Sequence, residues 1–335
     1  MERVTLSSIN QYVSATVNPA DTPEDLFELY SVPSYENQYP EIVKGKEIGS
    51  AKAVVQEGDV LICKINPKIN RVWVVKHNTE YPLLASSEWI VVRNSAINSN
   101  YLKWYFMSPF FRKLLTSQVA GIGGSLTRAQ PKQVAKYPVP IVELEKQEKI
   151  VNLLEKVNFV ISARQQQLAK LDELVKARFV EMFGDPLQNQ RGWPTKSLLE
   201  MGCCKNGMNF HADDSGIEIR CLGVGDFKDL SVIEGTTQLP MVSLGQKPSE
   251  ESMLHDGDIV FVRSNGNKNL VGRCVVVYPG TTPTTYSGFC IRYRLTCNDV
   301  MIPYLMCVLK SESTRSKMTG RGANIQNLNQ QILAT

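Results

Sequence analysis

The 335-residue chain carries 37 Lys and Arg against 33 Asp and Glu, a formal net charge of +4, and 43% hydrophobic residues. That composition is ordinary for a soluble globular chain with room for two domains, and its mild basicity falls short of a self-sufficient nucleic-acid binder, so any DNA contact is expected to need help from partners. No apolar run reaches membrane-spanning length, and Met1–Thr5 lack the basic flank and apolar stretch of a signal peptide, so a cytoplasmic location is expected.

Taken in chain order, the first clear element is Glu57-Gly58-Asp59 feeding an alternating strand, Val60 to Ile65, that ends in Lys64 and Asn66. A second strand follows at Arg71–Val75, then a helical segment from Tyr101-Leu102 through Ser108 and Arg112, then a glycine-rich turn at Gly121. The same series recurs later: Asp256-Gly257-Asp258 into Ile259–Val262 with Arg263 and Asn265, then Arg273–Val277, Tyr304-Leu305 through Ser311 and Arg315, and a turn at Gly320. Gly58 and Gly257 lie 199 positions apart, as do Gly121 and Gly320. Colinear matches of this length imply an internal duplication. The fold class expected is α+β: two homologous domains, each with a strand-rich centre and a helix at its Tyr-Leu segment.

Between the copies, Tyr137-Pro138-Val139-Pro140 holds the chain extended, since each proline disfavours helix in the residue before it. A helix is then predicted from Ile141 to Phe183. Its apolar residues follow a seven-residue repeat, with Leu154, Ile161, Leu168, Val175 and Met182 at one position and Ile150, Val157 and Leu171 at the other. Arg164 and Arg178 interrupt this seam, which suits polar contacts across it. The pattern predicts a coiled-coil-forming helix that ends at Gly184-Asp185-Pro186. The boundaries drawn are therefore 1–140, a helical spacer over 141–184, and 185–335.

Tyr137-Pro-Val-Pro with Leu144-Glu-Lys-Gln147, the helix ending Leu171-Asp-Glu-Leu-Val-Lys-Ala-Arg178-Phe-Val-Glu-Met-Phe183-Gly-Asp-Pro186, and the restart Gly192-Trp193-Pro194 with Leu198 resemble the specificity subunit of type I restriction-modification systems. The resemblance runs the length of the chain. It implies two target-recognition domains that each read half of a split double-stranded DNA sequence, held apart by two long antiparallel helices. It also implies docking of methyltransferase (M) subunits, which supply adenine methylation, and of a restriction (R) subunit, with no catalysis and no cofactor in the specificity subunit itself. The sequence departs from the family pattern because the chain reaches Thr335 with no second ramp and helix after Gly320. The resemblance therefore leads to the expectation that a distal helix comes from self-pairing or from a separate fragment.

Catalytic motifs are missing on direct reading. Asn66-Pro67-Lys68-Ile69 fails the amino-methyltransferase tetrapeptide at two positions, Gly223-Val224-Gly225 is a lone GxG, and no phosphate-binding loop occurs. The eight cysteines show no zinc-ligand spacing and read as reduced, mostly buried residues, the vicinal pair Cys203-Cys204 included. The four tryptophans read as core, and the three histidines receive no role.

For DNA, Lys and Arg suit phosphates, while Arg, Asn, Gln, Ser and Thr suit base edges. The loop after the first matched strand offers Lys64, Asn66, Lys68, Asn70 and Arg71, and its counterpart offers Arg263, Ser264, Asn265, Asn267, Lys268, Asn269 and Arg273. Either loop reads equally as a solvated turn. The glycine turns add Ser125, Thr127, Arg128 and Lys132 in one copy and Arg321, Asn324, Gln326 and Asn327 in the other, where Ser125 or Asn324 also reads as a helix cap. A competing function is a scaffold or decoy that pairs with M subunits or with other specificity-subunit helices and reads no DNA.

Overall fold

The computed structural model describes residues 2–117, 119–120, 127–210, 216–227, 230–319 and 328. The chain is α+β and divides into two compact units, 1–165 and 166–335.

In the first unit a three-stranded sheet is centred on Val60–Cys63, which pairs antiparallel with Val72–Val74 and Trp89–Val92. The central strand is apolar at every position because both of its faces are covered. Val60 and Ile62 point towards the helices Ser99–Met107 and Pro109–Ser117, where Leu102, Phe106, Phe111 and Leu115 are buried. Leu61 and Cys63 point the other way, into a core with Tyr30, Trp73 and Trp89. Beyond that core lies a five-stranded sheet in the order Thr16–Val17, Lys52–Val54, Leu83–Ala85, Leu26–Tyr30, Glu41–Lys44.

The second unit has the same central arrangement. Asp258–Val262 pairs antiparallel with Cys274–Tyr278 and Cys290–Leu295. Ile259 and Phe261 pack towards the helices Ile302–Lys310 and Glu312–Thr319, whereas Val260 and Val262 pack towards Leu222 and Tyr286 on the other side. In each unit a strand of the second sheet runs parallel to its neighbour, Leu26–Tyr30 with Leu83–Ala85 and Ile217–Leu222 with Thr284–Tyr286.

The glycine-aspartate turns match in detail. Gly58 and Gly257 both adopt a left-handed φ of 87°, which glycine takes without strain. The aspartate that follows is buried in both units and accepts two hydrogen bonds of 2.7 Å from one arginine, Asp59 from Arg93 and Asp258 from Arg294. Each aspartate also accepts a turn N–H, from Gln56 at 2.9 Å and from His255 at 2.7 Å. These carboxylates fasten the turn to the neighbouring strand or its end, Arg93 following Trp89–Val92 and Arg294 lying within Cys290–Leu295.

The helix spans Leu144–Phe183 as one 40-residue element, a length of about 60 Å. It begins three residues later than the sequence pattern predicts, because Pro138–Ile141 is a β-strand paired antiparallel with Glu2–Thr5. The extended ramp is thus part of the first unit's own structure. The helix is anchored at its start by Gln147, whose Oε1 accepts the Asn98 N–H at 2.9 Å, and by buried Val151. Near its end, buried Phe179 packs on Tyr304 in the second unit. The compact units accordingly take in the two ends of the segment that the sequence pattern sets apart as a spacer.

Trp73 and Trp89 are core residues, as expected, but Trp193 is exposed and donates its ring N–H to the Phe183 carbonyl at 3.0 Å. Four of the eight cysteines, Cys63, Cys221, Cys274 and Cys290, are buried, and Cys203 is exposed. Cys203 and Cys204 are successive residues of the Gly202–Asn206 strand, so their side chains leave opposite faces.

Candidate nucleic-acid interface

In the first unit, the loop after Val60–Cys63 and the segment after the glycine turn meet. The Asn66 N–H donates to the Thr127 carbonyl at 2.9 Å, the Ala129 N–H donates to the Lys64 carbonyl at 2.9 Å, and Ile65 bridges Arg128. Two candidate groups that are about 60 positions apart in sequence therefore form one surface, carrying Lys64, Asn66, Lys68, Thr127 and Arg128. Lys68 and Arg128 are exposed, with Lys132 beside them on the short helix Pro131–Val134.

The loop's shape comes from its asparagines. Asn66 and Asn70 have φ of 48° and 52°, the left-handed conformation that asparagine tolerates better than most residues. Asn70 is buried, and its amide donates to the Phe106 carbonyl at 3.0 Å, so it ties the loop to the helix and faces inward. Arg71 is mostly covered and donates to Glu36 at 3.2 Å, while Arg128 donates to Glu88 at 2.9 Å. Surface pairs of this kind contribute about 0–1 kcal/mol. A phosphate can displace such a partner at small cost. The sequence reading missed Glu36 and Glu88, whose approach depends on contacts between residues at least 35 positions apart.

Burial pushes the Cys63 thiol up, and its Sγ donates to the Ile65 carbonyl at 3.4 Å at the root of the same loop.

The second unit repeats the junction. The Leu328 N–H donates to the Arg263 carbonyl at 2.7 Å, the same bond that Ala129 makes to Lys64 199 positions earlier. Arg263, Ser264, Asn265 and Arg273 are half-buried, and Asn267 and Asn269 are exposed. Asn265 Oδ1 accepts the Asn267 N–H at 2.8 Å, and Asn267 Oδ1 accepts the Asn269 N–H at 3.0 Å, so these side chains shape the loop as well as decorate it. Arg315, from the neighbouring helix, donates to the Asn269 carbonyl at 3.0 Å. Ser125, Arg321, Asn324, Gln326 and Asn327, and the side chain of Lys268, lie outside the described residues.

The helix seam is largely open. Val157, Ile161, Leu168, Leu171, Val175 and Met182 are all exposed, as are Leu153, Phe159, Val160 and Leu174, which the heptad reading left out. Ile150 and Leu154 are half-buried, and Ile150 packs against the first unit's core. Together these side chains expose apolar surface along much of the helix.

Among the described residues, no group of acidic, histidine or cysteine side chains is placed to hold a metal, and no helix is long and apolar enough to cross a membrane.

No protein-family model matches the chain. The StySPI specificity subunit of the type I restriction enzyme from Salmonella potsdam is 26% identical over 252 residues, covering 69% of this chain and 53% of the relative. The chain resembles a type I specificity subunit. It spans about half the length of that curated relative. Its fold is shared with a chain from a structure described as "Structural basis underlying complex assembly and conformational transition of the type I R-M system", at a TM-score of 0.55 and 18% identity, covering 99% of this chain and 84% of that one. The crystal structure of the HsdS subunit from Thermoanaerobacter tengcongensis aligns at a TM-score of 0.43 and 19% identity, over 98% of this chain and 83% of that one.

Proposed function

We propose that this chain is the sequence-reading, non-catalytic subunit of a cytoplasmic type I restriction-modification assembly. Each unit reads one half of a split double-stranded DNA target through its paired loops, and the exposed helix seam engages partner helices. Methyltransferase subunits supply the methylation and a restriction subunit the cleavage. The observation that carries this reading is the recurrence of one construction in both units: a polar, basic loop following the central strand, hydrogen-bonded to the segment that returns from the glycine turn. The duplication by itself keeps the backbone junction; what supports the DNA reading is that both loops carry Lys or Arg together with Asn at that junction.

The test is methylome sequencing of cells that carry this chain with its methyltransferase. The expected result is two short methylated half-sites separated by several unread base pairs, whereas a single contiguous motif would refute the reading. The seam is tested separately by Leu168→Asp combined with Val175→Asp, which should abolish co-purification with methyltransferase subunits while both units stay folded. An unpaired carboxylate buried in an apolar interface costs several kcal/mol. Normal co-purification of the double variant would remove the seam from the assembly surface.

A further inference from the structure

In the second unit, Arg292 lies on the strand Cys290–Leu295, opposite Val260 on one neighbouring strand and opposite Lys205 on the other. Residues opposed across paired strands stand on the same face. The guanidinium and the Lys205 side chain therefore leave on the side where Val260, Cys290 and Tyr286 pack between the sheets. Tyr286 bounds that space from the second sheet, and its hydroxyl donates to the Lys205 carbonyl at 3.2 Å. The first unit shows that the frame needs no base here, because Val91 stands at the equivalent strand position.

Arginine does not shed its proton in a protein, and a buried charge without a partner is strongly unfavourable. The side chain thus calls for an answering negative charge. Asp258 does not supply it in full: its Oδ1 lies 4.0 Å from Arg292 Nη1, both its oxygens accept from Arg294 at 2.7 Å, and Oδ2 also accepts the His255 N–H. Asp226, towards Cys221 and Cys290, is turned to the Gly223 N–H at 2.8 Å. Glu251 sits at the surface, 2.5 Å from Lys205. Lys205 holds the Glu251 carboxyl below its usual range, and Arg292 adds to that pull from further in. Among the described residues, Arg292 Nε and Nη1 donate to nothing, although the residue is buried.

We propose that Arg292 and Lys205 form a binding site for a small monovalent anion of the chloride class, entered from the half-buried Lys205 end. Arg292 Nε and Nη1 donate to the anion from within. The Lys205 ammonium donates from the rim, exchanging the Glu251 carboxylate for the anion, and an exposed pair of that kind yields at small cost. One negative charge cancels the one that Arg292 brings, whereas a doubly charged oxyanion would leave an excess between the sheets, where unpaired charge is costly. The inference does not depend on the reading of DNA by the loops.

The experiment unfolds the full chain in urea, without DNA, while sodium gluconate is exchanged for sodium chloride at constant ionic strength, so that general screening stays fixed. Trp193 reports on the second unit, and Trp73, Trp89 and Trp104 make the first unit an internal control. Chloride should stabilise the second unit saturably and leave the first unmoved. At about four times the half-saturating concentration, the unfolding constant of the second unit should be about fivefold lower than in gluconate. The chloride NMR resonance should broaden in the presence of the folded chain. Arg292→Val, which installs the first unit's residue, and Arg292→Met, which keeps the length without the charge, should abolish both effects. Glu251→Gln, at an exposed position, removes the competing carboxylate and should lower the half-saturating chloride by about twofold or more. A second unit indifferent to chloride, an equal response in both units, or a response that survives either Arg292 variant would overturn the proposal. So would a Glu251→Gln chain that needs as much chloride as its parent, or more.

Discussion

The two units share a frame and differ in the charge they bury between their sheets. The first buries an acid: Glu28, on the strand Leu26–Tyr30, accepts hydrogen bonds from Asn78 and Thr79 at 2.6–3.4 Å and from the Tyr30 hydroxyl at 3.3 Å. The corresponding residue of the second unit, by strand register, is Arg220, which donates to the Leu239 carbonyl at 2.6 Å. The second unit instead buries a base. Arg292 is 3% exposed and lies opposite Val260, where the first unit has Val91 opposite Leu61. Its Nη1 is 4.0 Å from Asp258, a carboxylate already claimed by Arg294, and its Nε and Nη1 make no hydrogen bond. The difference teaches that the frame fixes the turn-locking aspartate, while the remaining polar groups between the sheets are free to change sign so long as something nearby answers them.

Removing the shared aspartates is the harshest way to probe this comparison. Losing one partner of a buried ion pair costs about 3–5 kcal/mol. Asp59→Ala should fall near the low end, since it strands one guanidinium, and Asp258→Ala near the high end, since it strands two. Urea denaturation can separate the units, with Trp73, Trp89 and Trp104 reporting on the first and Trp193 on the second. If Asp258→Ala proves no more costly than Asp59→Ala, Arg292 does not draw on that carboxylate.

A gentler test substitutes the first unit's residue into the second. Arg292→Val trades an incompletely bonded guanidinium for an aliphatic side chain, and replacing buried charge in this way is often neutral or stabilising. The expected change in the urea midpoint of the second unit corresponds to less than about 1 kcal/mol in either direction. A large loss would mean that Arg292 organises the space between the sheets.

The smallest effect concerns the thiols, seven of which lie in the second unit. Burial pushes Cys221, Cys274 and Cys290 up to about 12 and Cys204 up to about 11. At pH 8 a thiol pushed to about 12 is thiolate in roughly one molecule in ten thousand. Native titration with a disulfide reagent at pH 8 should therefore label exposed Cys203 first, and the buried thiols only as urea unfolds their unit. Rapid labelling of Cys221 or Cys290 in the native chain would show that the second unit opens more readily than its packing indicates.

The duplication and the long helix were legible in the sequence because each is a pattern repeated at a fixed spacing. The ramp was half legible. Its prolines announced an extended segment, but the partner that makes it a strand, Glu2–Thr5, is more than 130 positions away. The same limit hid Arg93 and Arg294: the Gly-Asp turns stood out, yet neither arginine has a neighbour in sequence that reveals its carboxylate. Among the candidate DNA-contacting residues, the composition of both loops was readable. The inward turn of Asn70 was not, because whether an asparagine faces solvent or caps a carbonyl is decided by the helix that packs behind it.

The long helix has a further consequence for how it breathes. Helices ordinarily exchange amide hydrogens fastest at their ends, where hydrogen bonds are missing. Here the ends are held by Gln147 and Val151 on one side and Phe179 on the other, while no residue from 152 to 178 is buried. Most helical stability derives from packing an apolar face, and local opening is cheapest where buried contacts are few. Deuterium should therefore enter this helix from its middle, and a partner laid along the seam would close that door, reversing the gradient without moving either end.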